Sequence, residues 1–351
     1  VVHDIEVILQ DPEISIVCET MGGNEPAYTF SKRALEAGKS VCTSNKELVA
    51  NHGAELLRLA RENRCNYFFE ASVGGGIPII RPLCQCLAAN YIEGIAGILN
   101  GTTNFILTMM IEKGMSFDEA LKIAQEKGYA EKDPTADVEG YDACRKVCIL
   151  ASLAFGKHVY PNQVETEGIT NITLEDVSYI ENAGGVIKLL GQIKYINDNE
   201  IAAFVSPAVV YNGSQLASVK DVFNAILVRG DAVGDVCFYG PGAGKLPTAS
   251  AVVADIIDCA KHSERKKIFG WGAGDEDYVV DYKERIEMPF YVRAKATPAE
   301  INAKFSDVKF LSRKGQPSDE VAFITDIMTE NKLNKKLDGI NVINTIKVTN
   351  Y

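Results

Sequence analysis

The segment Ile14-Ser-Ile-Val-Cys-Glu-Thr20 is the first strand-like run of the chain, and it decides the fold class. Gly22-Gly23 follows it, and a helical pattern begins at residue 26. The same order then recurs, with β-rich runs at 14–20, 40–44, 66–71 and 92–99 and helical runs at 26–37, 46–63 and 78–89. Strand–helix alternation at this spacing predicts βαβ units around a parallel sheet.

Glycine-containing turns follow the ends of these strands. They are Gly22-Gly23, Gly74-Gly75-Gly76 and Asn100-Gly101. Because ligands of open parallel sheets lie beyond the carboxyl ends of the strands, these turns mark the predicted site. A further loop, Gly240-Pro-Gly-Ala-Gly244, precedes a helical run and offers backbone N–H groups to a phosphate or carboxamide. A tight turn without a ligand is the alternative interpretation of each loop.

The segment with the most chemistry is Gly128-Tyr-Ala-Glu-Lys-Asp-Pro-Thr-Ala-Asp-Val-Glu-Gly-Tyr-Asp-Ala-Cys-Arg-Lys146. Asp142 and Lys146 are four residues apart and so share one face of a helix. The apolar run at 147–155 predicts that this helix is buried. A buried lysine and aspartate are costly unless they are paired or functional. Beside the neighbouring acids they predict a site that holds an ammonium group and moves a proton, which favours an amino-acid substrate. An ordinary salt bridge is the alternative.

Two other strand ends carry charged residues. Lys46 begins a helical run, where the helix dipole disfavours a cation, and this favours a ligand-facing lysine over a solvated one. Glu70 precedes the triple glycine, and its carboxylate with the exposed carbonyls predicts a site for a hard cation. A flexible strand-to-helix turn is the alternative for that segment.

Composition limits the partners. The formal net charge of −11 argues against nucleic acid, and no apolar run is long enough to span a membrane. The nine cysteines show no metal-ligand spacing, and most lie in apolar runs. We therefore expect buried free thiols in a reducing cytoplasm.

The remainder of the chain predicts two further units. Helical runs at 102–113 and 116–127 precede β-rich runs at 163–170, 186–196, 201–210 and 222–228, which indicates an α+β substrate half. A charged link at 262–285 leads to the tail. The tail has strands at 290–296, 308–313, 320–326 and 342–349 and helices at 298–305 and 330–337. This βαββαβ order is ferredoxin-like, and small modules of that kind bind amino acids or dimerise.

Taken together, the motifs resemble homoserine dehydrogenase. The resemblance rests on Thr43-Ser-Asn-Lys46-Glu-Leu-Val-Ala, Glu70-Ala-Ser-Val-Gly-Gly-Gly-Ile-Pro, Asn100-Gly-Thr-Thr-Asn-Phe-Ile-Leu, the segment from Gly128 to Lys146, and Gly240-Pro-Gly-Ala-Gly244. It implies the reversible NAD(P)-dependent reduction of L-aspartate 4-semialdehyde to L-homoserine, in threonine and methionine biosynthesis. It also implies an α/β protein of three parts. These are a truncated Rossmann-type parallel sheet at 1–100 to which helix 246–260 returns, a substrate-binding and dimerisation domain at 101–245, and an ACT-type module at 288–351.

The resemblance also assigns roles to individual residues. Lys146 corresponds to the proton donor for the aldehyde oxygen, and Lys46 to a second active-site lysine. The implied substrate-binding residues are Glu131, Asp137, Asp142, Tyr129, Gly101 and Thr102. The implied cofactor-binding residues are Thr20, Ser44, Lys46, Gly244 and Thr248. A monovalent cation, Na⁺ or K⁺, is implied at Glu70 with the carbonyls of Val73, Gly75 and Ile77.

The chain departs from the family pattern at two places. The family opens with a strand and glycine fingerprint that binds the cofactor pyrophosphate, and we expect that this chain lacks it and binds nicotinamide dinucleotides weakly. Thr297-Pro-Ala-Glu replaces the usual turn of an ACT module, so feedback binding of threonine is not implied. We expect a homodimer or homotetramer, with strands meeting across the interface.

Two other functions remain open. A semialdehyde dehydrogenase with a cysteine nucleophile needs a thiolate beside a base, and no Cys–His pairing is evident in the sequence. A non-catalytic amino-acid-binding protein is favoured by the ACT-like tail.

Overall fold

The computed structural model describes residues 1–262 and 266–351. Residues 263–265, within the predicted charged link, lie outside the described part. The helices are α1 (Glu6–Leu9), α2 (Ala27–Glu36), α3 (Lys46–Glu62), α4 (Gly101–Lys113), α5 (Phe117–Glu126), α6 (Thr135–Val138), α7 (Tyr141–Phe155), α8 (Leu174–Asn182), α9 (Lys245–Lys261), α10 (Tyr282–Arg285), α11 (Pro298–Lys304) and α12 (Glu330–Leu337). The strands are β1 (Ile16–Glu19), β2 (Ser40–Thr43), β3 (Tyr67–Phe68), β4 (Ile92–Ile98), β5 (Glu165–Thr166), β6 (Gly185–Asn197), β7 (Glu200–Tyr211), β8 (Phe223–Gly230), β9 (Gly234–Pro241), β10 (Glu287–Met288), β11 (Phe290–Lys295), β12 (Val308–Leu311), β13 (Glu320–Thr325), β14 (Met328–Thr329) and β15 (Asn341–Val348).

The first sheet is parallel and has the order β1-β2-β3. Successive side chains of a strand point to opposite faces. Val41 and Tyr67 therefore share a core with α2 and α3. Cys42 and Phe68 lie on the other face, where Cys259 of α9 packs against them. Helix α9 thus covers one side of this sheet, although it begins far downstream in the sequence.

The strand predicted at 92–99 does not extend the parallel sheet, and that prediction was wrong. Strand β4 lies between β6 and β8 and is antiparallel to both. Most of its residues are buried. A strand covered on both faces gives a continuous apolar run whether its neighbours are parallel or antiparallel, so the sequence pattern does not identify its partners.

The second sheet connects the middle of the chain to the tail. Its strand order is β12-β13-β11-β15-β7-β6-β4-β8-β9, with β5 pairing off this path. One face packs on α4, α7 and α8. The tail strands and their two helices follow the ferredoxin-like βαββαβ order that the sequence predicts. The pairing of Lys347 and Val348 with Ala208 and Val209 makes the tail continuous with the rest of the sheet.

Several elements differ from the sequence prediction. Helices α1 and α8 and strand β9 were not predicted, and the helical run at 78–89 contains a π-helical turn, Pro82–Cys86. The β-rich run at 163–170 contributes only the two residues of β5. In residues 1–262 and 266–351, no helix has both the length and the apolar character needed to cross a membrane.

Candidate active site

Helix α7 carries the central charged pair of the site. Gly140 precedes the helix with φ of +84°, a conformation that favours glycine. The carboxyl of Asp142 lies in the first helical turn, where the helix dipole stabilises negative charge. Asp142 and Lys146 are 5% and 8% exposed. The predicted buried helix is therefore present, and it begins with an aspartate and a lysine that water reaches poorly.

Two lysines share the carboxylate of Asp142. Lys146 Nζ lies 2.6 Å from Asp142 Oδ2, and it also donates to the carbonyl oxygen of Leu99 at 2.6 Å. Lys46 Nζ lies 3.1 Å from Asp142 Oδ1. Lys46 is the first residue of α3 and follows the end of β2 closely, so this contact joins the parallel-sheet region to α7. The predicted catalytic lysines are thus brought together on one acid.

Asn100 lies in one of the turns predicted to mark the site, but the sequence reasoning gave its side chain no role. Its Oδ1 accepts the N–H of Thr103 at 2.8 Å and so caps the N-terminus of α4. Its Nδ2 donates to Asp137 Oδ1 at 2.7 Å and to Asp142 Oδ2 at 2.9 Å. An asparagine between a strand end and Gly101 was the available signal, because that pattern is typical of a helix cap facing a ligand site.

The two acids of this cluster differ in electrostatics. Burial acts to raise the pKa of Asp142, but the ammonium groups of Lys146 and Lys46 hold that pKa well below its usual value. Burial raises the pKa of Asp137, and the negative charge of Asp142 raises it further. The hydrogen bond from Asn100 acts in the opposite direction and lowers it. Asp142 is therefore a fixed anion that orients two lysines. Among the described residues, Asp137 has no lysine or arginine within ion-pair distance, and the charge of Lys146 has only a minor influence on its pKa.

The other predicted substrate residues differ in how closely they contact this cluster and the segments beside it. Thr102 Oγ1 donates to the carbonyl of Tyr129 at 2.7 Å, which ties the start of α4 to the acidic segment. Gly101 lies against the carbonyl of Val222, where an added Cβ would sit 2.7 Å from the oxygen. Glu131 is exposed, and no described contact of its carboxylate joins it to Asp137 or Asp142. Its predicted role in substrate binding stays a prediction.

The predicted cofactor residues lie at two loop regions. Thr20 and Ser44 follow the carboxyl ends of the adjacent strands β1 and β2. Gly244 is the N-cap of α9, and its carbonyl accepts the N–H of Thr248 at 3.0 Å. The helix is 17 residues long, so its first N–H groups present a positive end to an electron-rich group.

Two glycine loops that are distant in sequence pack against each other beside α9. An added Cβ at Gly75 would lie 2.5 Å from the carbonyl oxygen of Gly242, and one at Gly76 would lie 2.8 Å from Pro247. The N–H of Gly76 donates to the carbonyl of Pro241 at 3.1 Å. This close backbone approach requires glycine, and it leaves main-chain polar groups rather than side chains at the surface of the loops. The N–H groups at the start of α9 beside these loops are donors of the kind that a carboxamide or phosphate accepts, and the predicted cofactor contacts stay a prediction.

The carboxylate of Glu70 contacts the backbone of the residues that follow its loop. Its Oε1 accepts the N–H groups of Ile79 and Ile80, both at 2.8 Å, and its Oε2 accepts the N–H of Arg81 at 3.0 Å. The carboxylate therefore caps the start of the helical turn and is already surrounded by donors. These three hydrogen bonds disfavour a direct contact between the carboxylate and a cation, and the cation site at this loop stays a prediction. Main-chain carbonyls of the same loop remain the predicted ligands of a monovalent cation.

The cysteine-dependent alternative lacks the necessary pair. Among the hydrogen bonds of the described residues, none joins a cysteine to a histidine. Burial raises the pKa of the Cys84 thiol to about 12 and that of Cys65 to about 11, which keeps both protonated.

The fold and the paired lysines define the class: an α/β protein built like a nicotinamide-dependent dehydrogenase. The family model for homoserine dehydrogenase matches residues 78–257, and that for the homoserine dehydrogenase NAD-binding domain matches residues 1–70. The chain belongs to the homoserine dehydrogenase family.

Known relatives agree with this assignment. The homoserine dehydrogenase of Synechocystis sp. is 47% identical over 258 residues, which are 73% of this chain and 60% of the relative. That of Bacillus subtilis is 46% identical over 255 residues, 73% of this chain and 59% of the relative. The chain thus spans about 60% of the length of the curated relatives it matches.

Solved structures extend the likeness to the whole chain. The structure of a homoserine dehydrogenase from Thiobacillus denitrificans is 38% identical, with a TM-score of 0.86, and the match covers 99% of this chain and 84% of that chain. A hyperthermophilic archaeal homoserine dehydrogenase mutant in complex with NADPH is 32% identical, with a TM-score of 0.63, covering 74% of this chain and 75% of that one.

Proposed function

We propose that this protein catalyses the reversible NAD(P)-dependent reduction of L-aspartate 4-semialdehyde to L-homoserine. The observation that carries the proposal is the buried ammonium of Lys146, 2.6 Å from Asp142, beside a second lysine that contacts the same carboxylate. Family membership and the names of the relatives support it. The archaeal structure with NADPH supports a nicotinamide dinucleotide as the cofactor.

The role of Lys146 follows from charge development at the aldehyde. A bound nicotinamide cofactor supplies the hydride in reduction and accepts it in oxidation. The carbonyl oxygen gains negative charge as the bond to carbon forms, and an ammonium within hydrogen-bond distance stabilises and protonates it. Asp142 orients Lys146 and keeps the ammonium in the site. In the reverse direction the neutral amine takes the proton of the homoserine hydroxyl.

Lys46 and the acids position the substrate. Lys46 is 41% exposed at its side chain, so it faces the open side of the cluster, where it adds positive charge near the reacting oxygen. Asp137 is the acid best placed to hold the α-ammonium of the substrate, because no lysine or arginine contacts it in the described residues. Glu131 extends the same negative surface. Thr102, Gly101 and the Tyr129 segment fix the boundary of this region.

Finer features follow the family pattern. We include in the proposal Thr20, Ser44, Lys46, Gly244 and Thr248 as cofactor contacts and a Na⁺ or K⁺ ion at the carbonyls of Val73, Gly75 and Ile77. The proposal also includes a cytoplasmic homo-oligomer and an ACT-type tail. The ferredoxin-like order of the tail supports the ACT-type assignment. The close contact between Gly75 and Gly242 supports the cofactor contacts at the neighbouring Gly244.

The experiment is a direct assay in both directions. The purified protein is mixed with L-homoserine and NAD⁺ or NADP⁺, and with L-aspartate 4-semialdehyde and NADH or NADPH, and the absorbance of the reduced nicotinamide is followed. We expect turnover in both directions. We also expect the rate to stay the same after the exposed cysteines have been alkylated. Binding of amino acids without turnover would support a non-catalytic protein instead, and loss of turnover on alkylation would support a cysteine nucleophile.

A further inference from the structure

A cavity of about 400 Å³ lies apart from the residues assigned to the reaction. It is open to solvent on one side and is bordered by α4, the end of α8, the start of β6 and the segment that follows β7. The lining residues that bear on its chemistry are Thr108, Glu112, Glu181, Lys188, Ser218 and Lys220. This volume is sufficient for a small organic molecule.

Lys188 is a buried cation in the wall of this cavity. It is 2% exposed. Its Nζ donates to Asn104 Oδ1 at 3.0 Å and to the carbonyl of Val219 at 2.5 Å, and both acceptors are neutral. Among the described residues no carboxylate lies within ion-pair distance of Lys188. An ammonium has three N–H donors, so one remains without an acceptor in the described hydrogen bonds.

A buried ammonium with no carboxylate in ion-pair contact is unfavourable, because desolvation penalises the charged form. Burial accordingly lowers the pKa of Lys188 to about 8; the charge of Lys220 acts in the same direction, and the more distant carboxylates of Glu112 and Asp221 act against it. An anion in the cavity would supply both a counter-charge in direct contact and the missing acceptor. The arrangement is therefore that of an anion site in which the cationic group is already fixed.

The other charges around the cavity restrict the anion. Lys220 at the rim is paired with Glu112 at 2.6 Å, so it does not contribute a free positive charge. Glu181 is exposed and adds negative charge. A phosphate, with more than one negative charge, would be repelled by these acids, whereas a single carboxylate matches the single ammonium.

We propose that this cavity binds a small monocarboxylate, whose oxygen accepts the third N–H of Lys188. The apolar portion of such a molecule packs against the aliphatic parts of the walls formed by Ile111, Val186 and Ala217. The site is independent of the proposed reaction, since none of its residues contacts Lys146, Asp142 or Lys46 in the described hydrogen bonds and ion pairs.

Thermal unfolding with sodium propionate tests the proposal, with sodium chloride at equal ionic strength as the reference. We expect a saturable, propionate-specific rise in Tm of about 2–4 °C at tenfold above Kd. The Lys113→Met variant is the matched control, because Lys113 is an exposed lysine at the end of α4, and it should show the same rise. Lys188→Met should show none.

Lys188→Met also removes two hydrogen bonds that support the fold, so a second variant is needed. Ser218→Trp fills the rim of the cavity and leaves both hydrogen bonds of Lys188 intact, and it should abolish the propionate-specific rise. The absence of a propionate-specific rise in the unmodified protein would overturn the proposal. An undiminished rise in Ser218→Trp or in folded Lys188→Met would do the same, since the carboxylate would then bind elsewhere.

Discussion

Lys46 Nζ lies 3.1 Å from Asp142 Oδ1, which joins the first residue of α3, after the second parallel strand, to the first turn of α7. Lys146 occupies the other carboxylate oxygen of Asp142 at 2.6 Å. Because one anion orients two ammonium groups from different parts of the fold, the geometry of each lysine depends on the same side chain. The site therefore forms only where the parallel-sheet region meets α7, which packs on the second sheet, and neither sheet provides it alone.

Asn100 should matter for activity more than for folding. Asn100→Ser keeps a side-chain oxygen that can cap α4 but loses the amide donors to Asp137 and Asp142. Hydrogen bonds to charged groups contribute roughly 1.5–3 kcal/mol each, so we expect kcat/KM for homoserine to fall by about 10- to 100-fold, with Tm lowered by only a few degrees. Ser116→Asn, a cap exchange at α5, is the control and should leave kcat/KM unchanged. Normal kinetics in Asn100→Ser would remove Asn100 from the site.

The carboxylate of Glu70 should affect the stability of the fold, whereas the carbonyls of the neighbouring glycine loop should affect activation by a cation. We expect Na⁺ or K⁺ to stimulate activity and EDTA to have no effect, because carbonyl oxygens suit a weakly charged hard cation. Glu70→Gln should lower stability by about 1–3 kcal/mol through weakened helix capping, measured by urea unfolding, while the cation concentration for half-activation stays within about twofold. Zinc-restored activity after EDTA treatment would contradict the first expectation. Loss of cation activation in folded Glu70→Gln would contradict the second.

The acidic cluster predicts discrimination for the α-ammonium of the substrate. With 4-hydroxybutyrate, which lacks that group, Asp137 keeps its burial without gaining a cation. We expect kcat/KM to be lower than for homoserine by roughly 10²–10³-fold, in line with the cost of leaving a half-buried charge without its partner. Steady-state kinetics with both compounds provide the comparison. Equal values would show that these acids do not bind the amine.

His158 predicts part of the acid sensitivity of the fold. It is buried, its Nδ1 accepts the indole N–H of Trp271 at 3.0 Å, and burial lowers its pKa to about 4. A protonated ring could not accept that hydrogen bond. Since the unfolded value is near 6.5, this contribution to stability is complete above pH 6.5 and is lost as the pH falls towards 4. The shift corresponds to about 3 kcal/mol.

Urea unfolding between pH 4 and 7 measures this contribution. His158→Gln keeps an acceptor for Trp271 but does not titrate, so its free energy of unfolding should depend less steeply on pH over that range. His3→Gln, at an exposed position, should behave like the unmodified protein. An unchanged pH slope in His158→Gln would show that another group is responsible.

The sequence predicted those elements whose patterns are local. A buried helix that carries Asp142 and Lys146 was predicted from the apolar run at 147–155, and it is observed as α7, Tyr141–Phe155. The helical run predicted at 116–127 is observed as α5, Phe117–Glu126, and Ser116 and Glu119 close its N-terminus with a capping box. The order of the tail strands was likewise predicted. In each case residues close in sequence determine the structure.

Features that depend on distant residues were not predictable in this way. The antiparallel partners of β4 come from 185–197 and 223–230, and nothing in its own apolar pattern specifies them. Glu70 was expected to face a cation, but the N–H groups of a later turn surround its carboxylate. Asn100 was placed in a turn of the predicted site, but the role of its side chain was not assigned, because that role comes from two acids that only the folded chain brings within hydrogen-bond distance.

The central claim is that Lys146 is the acid–base group of a homoserine dehydrogenase. The most direct test is kcat for homoserine oxidation and semialdehyde reduction by Lys146→Ala, beside Lys127→Ala as an exposed-lysine control. We predict that Lys146→Ala lowers kcat by about 10²–10⁴-fold in both directions, which is the typical contribution of a positioned acid or base, and that the control turns over normally. Near-normal kcat in folded Lys146→Ala would contradict the account.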